Sequence, residues 1–249
     1  MTSFKERLRK GETLVGTILT LGLPAVAEMV SRCGFDWLWI DMEHAPLSLE
    51  QVQEFLQAKS ETCPAFVRIP GNDEVWIKRV LDLGADGIIV PQVKTAAEAQ
   101  RAVSASKYPP TGIRSVGSGR ANGYGMNAGP YIEEANEKLL VLLQIEHHEG
   151  VKNLESIIKT PGVDAIIIGP YDLSGSFGKL GKIGDDEVQK AIAEIKKACE
   201  QHGMPLGIFA LQPEHGKNYL SQGFKLIALG IDAHYLWTAA KAGLEAVKK

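Results

Sequence analysis

Short apolar runs alternate with longer amphipathic stretches along the whole chain, and this alternation sets the expected architecture. Eight runs of four to seven residues, rich in Val, Ile, Leu or Phe, fall at 14–19, 37–41, 65–69, 87–91, 139–145, 164–168, 206–209 and 226–230. Near-continuous apolar runs of this length fit strands buried on both faces of a parallel sheet. Between them, apolar positions recur at three and four, the spacing of a helix with one buried face. The stretch 75–84 shows it, with Gly84 as a C-terminal stop, and 186–202 puts Val188, Ile192, Ile195 and Cys199 on one stripe. Ser48 stands before Leu49-Glu50-Gln51 as a helix cap. Eight β–α alternations without a linker predict an α/β fold, a single (β/α)8 TIM barrel over residues 1–249. The rival, an open doubly wound sheet, lacks its dinucleotide fingerprint: Leu21-Gly22-Leu23-Pro24 follows the first strand.

One connection departs from the rhythm. From Tyr108 to about Pro130 the chain is Gly-rich and irregular. Loops this long are commonly functional or mobile. Lying after the helix that follows strand four, this one is expected to start near the bottom of the barrel. Packing against a neighbouring subunit is as good a reading as a direct catalytic part, and no GK[ST] follows to make it a phosphate loop.

Composition narrows the class. A chain of 249 residues, 45% hydrophobic and 23% charged, has the make-up of a globular protein. A net charge of −3 gives no electrostatic case for nucleic acid or an anionic membrane as partner. Cys33, Cys63 and Cys199 are scattered and odd in number, and read as buried thiols in a reducing compartment. There is no apolar signal core in Met1-Thr2-Ser3-Phe4-Lys5-Glu6-Arg7-Leu8 and no run of membrane-spanning length, so a cytoplasmic enzyme is expected.

In a barrel the chemistry sits at the C-terminal ends of the strands. Those ends carry Asp41-Met42-Glu43-His44, Arg68, Pro91-Gln92, Gln144, Glu146 and Asp172. Glu146 and Asp172 lie one βα unit apart, an arrangement that can hold a hard divalent cation such as Mg²⁺ or Mn²⁺; the rival is pairing with Lys or Arg. An imidazole at His44, oriented by Asp41, suits proton transfer, the plainer reading being a strand-end hydrogen bond. Arg68 either stabilises negative charge on a substrate oxygen or is a buried ion-pair partner of Asp41 or Glu43. Glu43 is assigned nothing beyond a supporting hydrogen bond. His147 and His148 point in different directions and read as loop or supporting residues rather than joint ligands. His202, His215 and His234 fall on or beside helices as surface or packing residues, and Trp37, Trp39, Trp76 and Trp237 are expected in the core.

These segments carry a resemblance. Asp41-Met42-Glu43-His44-Ala45-Pro46, Arg68-Ile69-Pro70, Tyr108-Pro109-Pro110-Thr111-Gly112-Ile113-Arg114, Gln144-Ile145-Glu146 and Ile168-Gly169-Pro170-Tyr171-Asp172-Leu173-Ser174 occur in the order and spacing of the HpcH/HpaI aldolases, the metal-dependent class II pyruvate aldolases. The resemblance implies a TIM barrel, often a hexamer whose last helix packs on a neighbouring subunit. It implies reversible cleavage of a 2-keto-4-hydroxy acid to pyruvate and an aldehyde through a metal-bound pyruvate enolate. By the same resemblance Glu146 and Asp172 bind Mg²⁺, Mn²⁺ or Co²⁺, Arg68 contacts the pyruvyl oxygen, and His44, held by Asp41, is the acid–base group. Gln144 holds a metal-bound water or the substrate, and main-chain N–H groups around Asp172, Leu173 and Ser174 receive the substrate carboxylate.

The chain departs from the pattern beside the metal. Many relatives carry Thr and a later Ala where this one has His147-His148-Glu149-Gly150, and Tyr171 replaces a small residue. Both changes bear on the substrate more than on the reaction. Phe209, Ala210 and Leu211 are expected to line the mouth. No lysine but Lys94 lies near a strand end, which makes a Schiff base the weaker mechanism. The alternative is a CoA-thioester lyase of the citramalyl-CoA/citrate lyase type. A catalytically idle keto-acid binder and a phosphate-sugar isomerase stand behind it.

Overall fold

The computed structural model describes residues 2–248. Eight strands, β1 (Leu14–Leu19), β2 (Trp37–Asp41), β3 (Ala65–Arg68), β4 (Gly87–Val90), β5 (Leu140–Ile145), β6 (Ala165–Ile168), β7 (Leu206–Ala210) and β8 (Leu226–Ile231), close into one barrel. Every neighbouring pair is parallel, including β1 with β8. The helices are α1 (Phe4–Arg9), α2 (Pro24–Ser31), α3 (Leu49–Ala58), α4 (Glu74–Asp82), α5 (Ala96–Ser106), α6 (Ala128–Lys138), α7 (His148–Lys152), α8 (Leu154–Ile158), α9 (Pro170–Ser176), α10 (Asp186–Gln201), α11 (Pro213–Ser221) and α12 (Asp232–Lys248). The expected TIM barrel is the fold observed. Among the described residues no helix is long and apolar enough to cross a membrane.

The strands have two apolar faces because each side packs on something different. Trp37, Trp39, Phe66, Ile89, Leu140, Leu142, Ala165, Ile167, Leu226 and Ala228 point inward and form a closed interior cluster with Leu8 of α1. Their neighbours Leu38, Ile40, Val67, Ile88, Val90, Val141, Leu143 and Ile166 point outward into the larger core beneath the helices. Two indoles fit one barrel because Gly16 yields its side-chain volume: a Cβ there would lie 2.4 Å from the Trp37 ring. Trp37 stacks on Trp39 with centroids 6.3 Å apart, and Phe66 lies 5.8 Å from Trp37. α1, closed by a Ser3/Glu6 capping box, stoppers the N-terminal end with Phe4 5.1 Å from Phe66. The interior is therefore a solid apolar plug that ends just below the C-terminal rim.

The helices follow the expected caps and stripes. Ser48 and Gln51 make the capping box of α3, and Gly84 after α4 adopts φ +91°, a left-handed turn open to glycine. Val188, Ile192, Ile195 and Cys199 are buried along α10. The irregular stretch after Tyr108 runs past the barrel bottom, where helix C-termini lie. Arg114 pairs with Asp82 at 2.7 Å and stacks over Tyr108, while Arg120 donates to the carbonyls of Leu83 and Leu56.

Two expectations fail. Cys33 is exposed, since it lies in the turn after α2 between exposed Arg32 and Gly34, whereas Cys63 and Cys199 are buried as expected. Trp237 is exposed, because α12 rests on the barrel only near its start; Leu236, Leu244 and Val247 are exposed with it. Trp76 is half-buried, and Trp37 and Trp39 are in the core.

Candidate active site

Period two along each strand carries the inward row out of the plug and into the mouth. Trp37 and Trp39 lead to Asp41, Phe66 leads to Arg68, and Leu140 and Leu142 lead to Gln144 and Glu146. Residues that would sit against helices one position earlier or later instead converge on the barrel axis. Asp41 and Arg68 are register partners on β2 and β3, which sets carboxylate and guanidinium side by side.

Arg68 grips Asp41 in a two-pronged fork, Nε donating to Oδ1 at 2.9 Å and Nη2 to Oδ2 at 2.7 Å. Its third corner, Nη1, is 3.0 Å from Glu43 Oε2 and 3.5 Å from Gln144 Oε1. The guanidinium lies 5.0 Å over Trp39, on top of the plug. Burial works against its charge, but the hydrogen bonds to Asp41 and the charges of Asp41, Glu43 and Glu146 hold its pKa above the ordinary value. The ion-pair reading of Arg68 is the one observed, with Asp41 and Glu43 both as partners, and the group stands at the mouth.

Glu146 is 1% exposed and fully engaged. Oε1 accepts the Gln92 N–H at 2.8 Å, and Oε2 accepts from Gln144 Nε2 at 2.5 Å. Gln92 reaches it in the left-handed region at φ 56°, sparsely populated by residues with a side chain. Burial pushes the Glu146 acid up to about 8; the Gln92 N–H opposes this, and the charges of Glu43 and Asp172 add to it. The β6 end packs directly on this carboxylate. A Cβ on Gly169 would lie 2.3 Å from Glu146 Oε2 and 2.6 Å from Gln144 Nε2, so only glycine lets the chain pass. Asp172 follows in the exposed first turn of α9.

Glu43 also belongs to the site, with more than the supporting hydrogen bond expected of it. Burial raises its pKa, with Arg68 and His44 opposing and Asp41 and Asp172 adding. Three carboxylates thus share one region of the mouth. Among the described residues no group of three or more His, Cys, Asp or Glu side chains is set to grip one metal ion. Two carboxylates with an amide nearby is a donor set that Mg²⁺ accepts, because it keeps water or substrate in its remaining positions. The repulsion stored among Glu43, Glu146 and Asp172 is what a divalent cation would relieve, so the residues fit such an ion.

His44 is at the mouth, its side chain 61% exposed, but Asp41 does not hold its ring. Besides the Arg68 fork, Asp41 Oδ1 accepts the backbone N–H groups of Glu43 at 3.0 Å and His44 at 3.3 Å. The imidazole's acidic neighbour is Glu43, with Oε2 3.7 Å from Nε2. Register explains the correction: β3 delivers a guanidinium that engages both oxygens of Asp41, while the exposed imidazole lies beside Glu43.

Of the expected substrate contacts, Gln144, Arg68, Tyr171 and Leu211 are at the mouth. Tyr171 is exposed with its ring 6.2 Å from Phe209, and Leu211 follows β7 half-buried. Leu173 and Ser174 are not at the surface of the site; both are fully buried. The Leu173 N–H is bonded to Gly169 O at 2.9 Å, and the Ser174 hydroxyl donates to Tyr171 O. The first intrahelical bond of α9 begins at Leu173, so the amides without an intrahelical acceptor are those of Tyr171 and Asp172. His147 caps α7 and His148 bonds to Ser176; neither joins the carboxylates. His202, His215 and His234 lie at the end of α10, on α11 and on α12.

Asp232 was missed. Buried after β8, it accepts from Thr20 N and Oγ1, Leu21 N and Ala233 N, pinning the β1–α2 turn to the start of α12. Its signal was available, an acid directly after the last apolar run.

The chain belongs to the HpcH/HpaI aldolase/citrate lyase family, which it matches over residues 17–239. It is 41% identical over 242 residues to the 4-hydroxy-2-oxo-heptane-1,7-dioate aldolase of Escherichia coli, covering 96% of this chain and 92% of that one. To the 4-hydroxy-2-oxovalerate aldolase of Novosphingobium aromaticivorans it is 39% identical over 246 residues, covering 98% and 94%. A crystal structure of a family member from Burkholderia cenocepacia superposes with a TM-score of 0.95 at 37% identity, covering 98% of each chain.

Proposed function

We propose that this protein is a divalent-metal-dependent pyruvate aldolase, cleaving a 2-keto-4-hydroxy acid to pyruvate and an aldehyde and running the reverse condensation. The carrying observation is the buried Glu146, fastened by Gln92 and Gln144 with Glu43 and Asp172 around it. Relatives at 39–41% identity over almost their whole length bear aldolase names with different keto acids, which supports the reaction class and leaves the aldehyde open.

Glu146 and Asp172 would hold the cation, Mg²⁺, Mn²⁺ or Co²⁺. When bound it supplies Lewis-acid stabilisation of the charge that gathers on the C2 oxygen as the C3–C4 bond breaks. Arg68, rigid in its Asp41 fork, places a second positive charge beside that oxygen without reorganising. Gln144, between Arg68 and Glu146, positions the keto acid or a water. The amides of Tyr171 and Asp172 would receive the C1 carboxylate. His44 takes the proton of the C4 hydroxyl, and Glu43 beside it favours the imidazolium that results. Tyr171, Phe209 and Leu211 border the space left for the aldehyde.

The test is pyruvate release from a panel of 2-keto-4-hydroxy acids before and after exhaustive chelation. Activity should vanish with the metal and return with Mg²⁺, Mn²⁺ or Co²⁺; undiminished turnover without metal refutes the proposal. Turnover of malyl-CoA-type thioesters with none of free keto acids would favour the lyase alternative. We further propose a homo-oligomer, a hexamer in which Leu236, Trp237, Leu244 and Val247 of α12 pack on a second copy, to be read by light scattering. The reducing cytoplasm suits its unpaired thiols.

A further inference from the structure

His147 and His148 directly follow Glu146, and the reaction outlined above gives them no part. Their geometry does. We propose that His148 is a positioning residue: by fastening the far end of α9 to the start of α7 it sets the spacing between Glu146 and Asp172. The inference rests on the aldolase reading and concerns how this chain presents its two metal-binding acids.

Asp172 sits in the first turn of α9, a helix of seven residues. A helix of two turns does not hold its own direction in water, so its ties decide where Asp172 points. At its start, Gly169 N–H donates to Ile145 O at 3.3 Å and the bare Gly169 Cα rests on the Glu146 carboxylate. That is a single pivot. At its end, His148 makes two bonds to one residue: its backbone N–H donates to Ser176 Oγ at 3.0 Å, and its Nδ1 lies 3.0 Å from Ser176 O. A carbonyl only accepts, so Nδ1 carries the proton and the tautomer is set. Ser176 Oγ in turn donates to Leu173 O at 2.7 Å, joining the tie to the body of α9.

The ring is held from both sides, 4.3 Å from His147 and 5.8 Å from Phe177 by centroid. His147 is itself fixed, its Nδ1 accepting the Glu149 N–H at 3.2 Å as the cap of α7. Glu146 is two residues from His148, and Asp172 is four residues from Ser176. One residue therefore stands between the two acids as a brace. Between the two, buried Leu173 packs α9 on the core and Ser174 Oγ accepts the Gly181 N–H at 2.9 Å; the brace adds the restraint at the far end that fixes the direction of α9 about Gly169.

The experiment compares wild type with His148→Phe, which keeps a ring and loses the donor, and His148→Asn, which restores an N–H near the Nδ1 position. Mn²⁺ affinity is read from the paramagnetic resonance of the free ion, and backbone hydrogen exchange over residues 169–177 is read in metal-free protein. Loss of a group bonded directly to a metal ligand weakens affinity about 10–100-fold, and His148 acts one step further out, which places it at the low end of that range. His148→Phe should show a loss in that range with faster exchange over 169–177, and His148→Asn should stay within about threefold of wild type. Ser176→Ala leaves the carbonyl in place but removes both bonds of the hydroxyl; it should lose roughly fivefold or more, and it carries the test if His148→Phe does not fold. Wild-type affinity in His148→Phe and Ser176→Ala, or equal losses in Phe and Asn variants, overturns the brace alone. A wild-type protein that binds no Mn²⁺ overturns the brace together with the aldolase reading.

Discussion

Replacing Gly169 with alanine tests the site at its tightest point. The added methyl would lie 2.3 Å from Glu146 Oε2 and 2.6 Å from Gln144 Nε2, about 1 Å inside ordinary contact. Neither group can swing away cheaply. Glu146 is held by the Gln92 N–H, Gln144 lies between Glu146 and Arg68, and both side chains are buried. Overpacking of this kind costs about 1–3 kcal/mol, and a chain of this size melts roughly 2–4 °C lower per kcal/mol. Metal-free Gly169→Ala should therefore melt roughly 2–12 °C below wild type. Because the displaced oxygen belongs to a proposed ligand, Mn²⁺ affinity should fall about tenfold or more. Gly129→Ala is the control: nothing lies within 4 Å of its Cβ position in α6, so the same change should be neutral or stabilising by up to about 1 kcal/mol. Calorimetric melts in chelator and titration with Mn²⁺ read both effects. A Gly169→Ala protein that melts and binds Mn²⁺ like wild type would show that the β6 end does not press on Glu146.

Three further outcomes follow from the same geometry. The Glu146 acid stands at about 8 when folded against an ordinary 4.5, so between those values the folded protein keeps a proton that the unfolded chain has released. Metal-free stability should then fall as pH rises from about 5 to 8, while Glu146→Gln should lose Mn²⁺ binding and flatten that slope; equal slopes in the two proteins refute this. His44→Ala removes an exposed side chain, so melting should stay within about 0.5 kcal/mol of wild type. Its metal affinity should hold while kcat drops about 10²–10⁴-fold, and loss of metal would show the role to be misassigned. Arg68→Lys keeps the charge but not the fork, leaving Asp41 short of one buried partner, and should destabilise by about 1–3 kcal/mol with a large fall in kcat/KM measured by pyruvate release.

Much of the frame was legible because buried parallel strands announce themselves as continuous apolar runs. Each expected strand overlaps the observed one to within one residue at either end, as with 139–145 against β5 (Leu140–Ile145). Period two then carried Asp41, Arg68, Gln144 and Glu146 to one mouth. Partner choice was half legible: Arg68 was expected beside Asp41 or Glu43 and pairs with both, but the partner of His44 depends on interstrand register. Only the Asp41–Arg68 pairing across β2 and β3 decides that Asp41 serves the guanidinium and leaves His44 to Glu43. Nor does a glutamine advertise a positive φ, so Gln92 as a donor to Glu146 was unreadable. Trp237 misled for another reason: apolar spacing shows that a helix has a face to bury, not what covers it.

The charge pattern of the mouth ties these points together. Arg68 shares its one positive charge between Asp41, in the fork, and Glu43, 3.0 Å away, which leaves buried and surplus negative charge among Glu43, Glu146 and Asp172. Such a cluster has two ways to shed negative charge, taking up protons or taking up a cation. The raised acids of Glu43 and Glu146 describe the first. On the proposed function the second displaces it, so metal entry near neutral pH expels a proton from Glu146 and the affinity climbs with pH until about 8. A barrel built for stability alone would put apolar side chains here, since replacing buried charges by apolar groups is often stabilising. These acids persist next to the apolar plug at a standing cost to the metal-free fold. That cost is intelligible if the folded state that matters is the one with the cation in place.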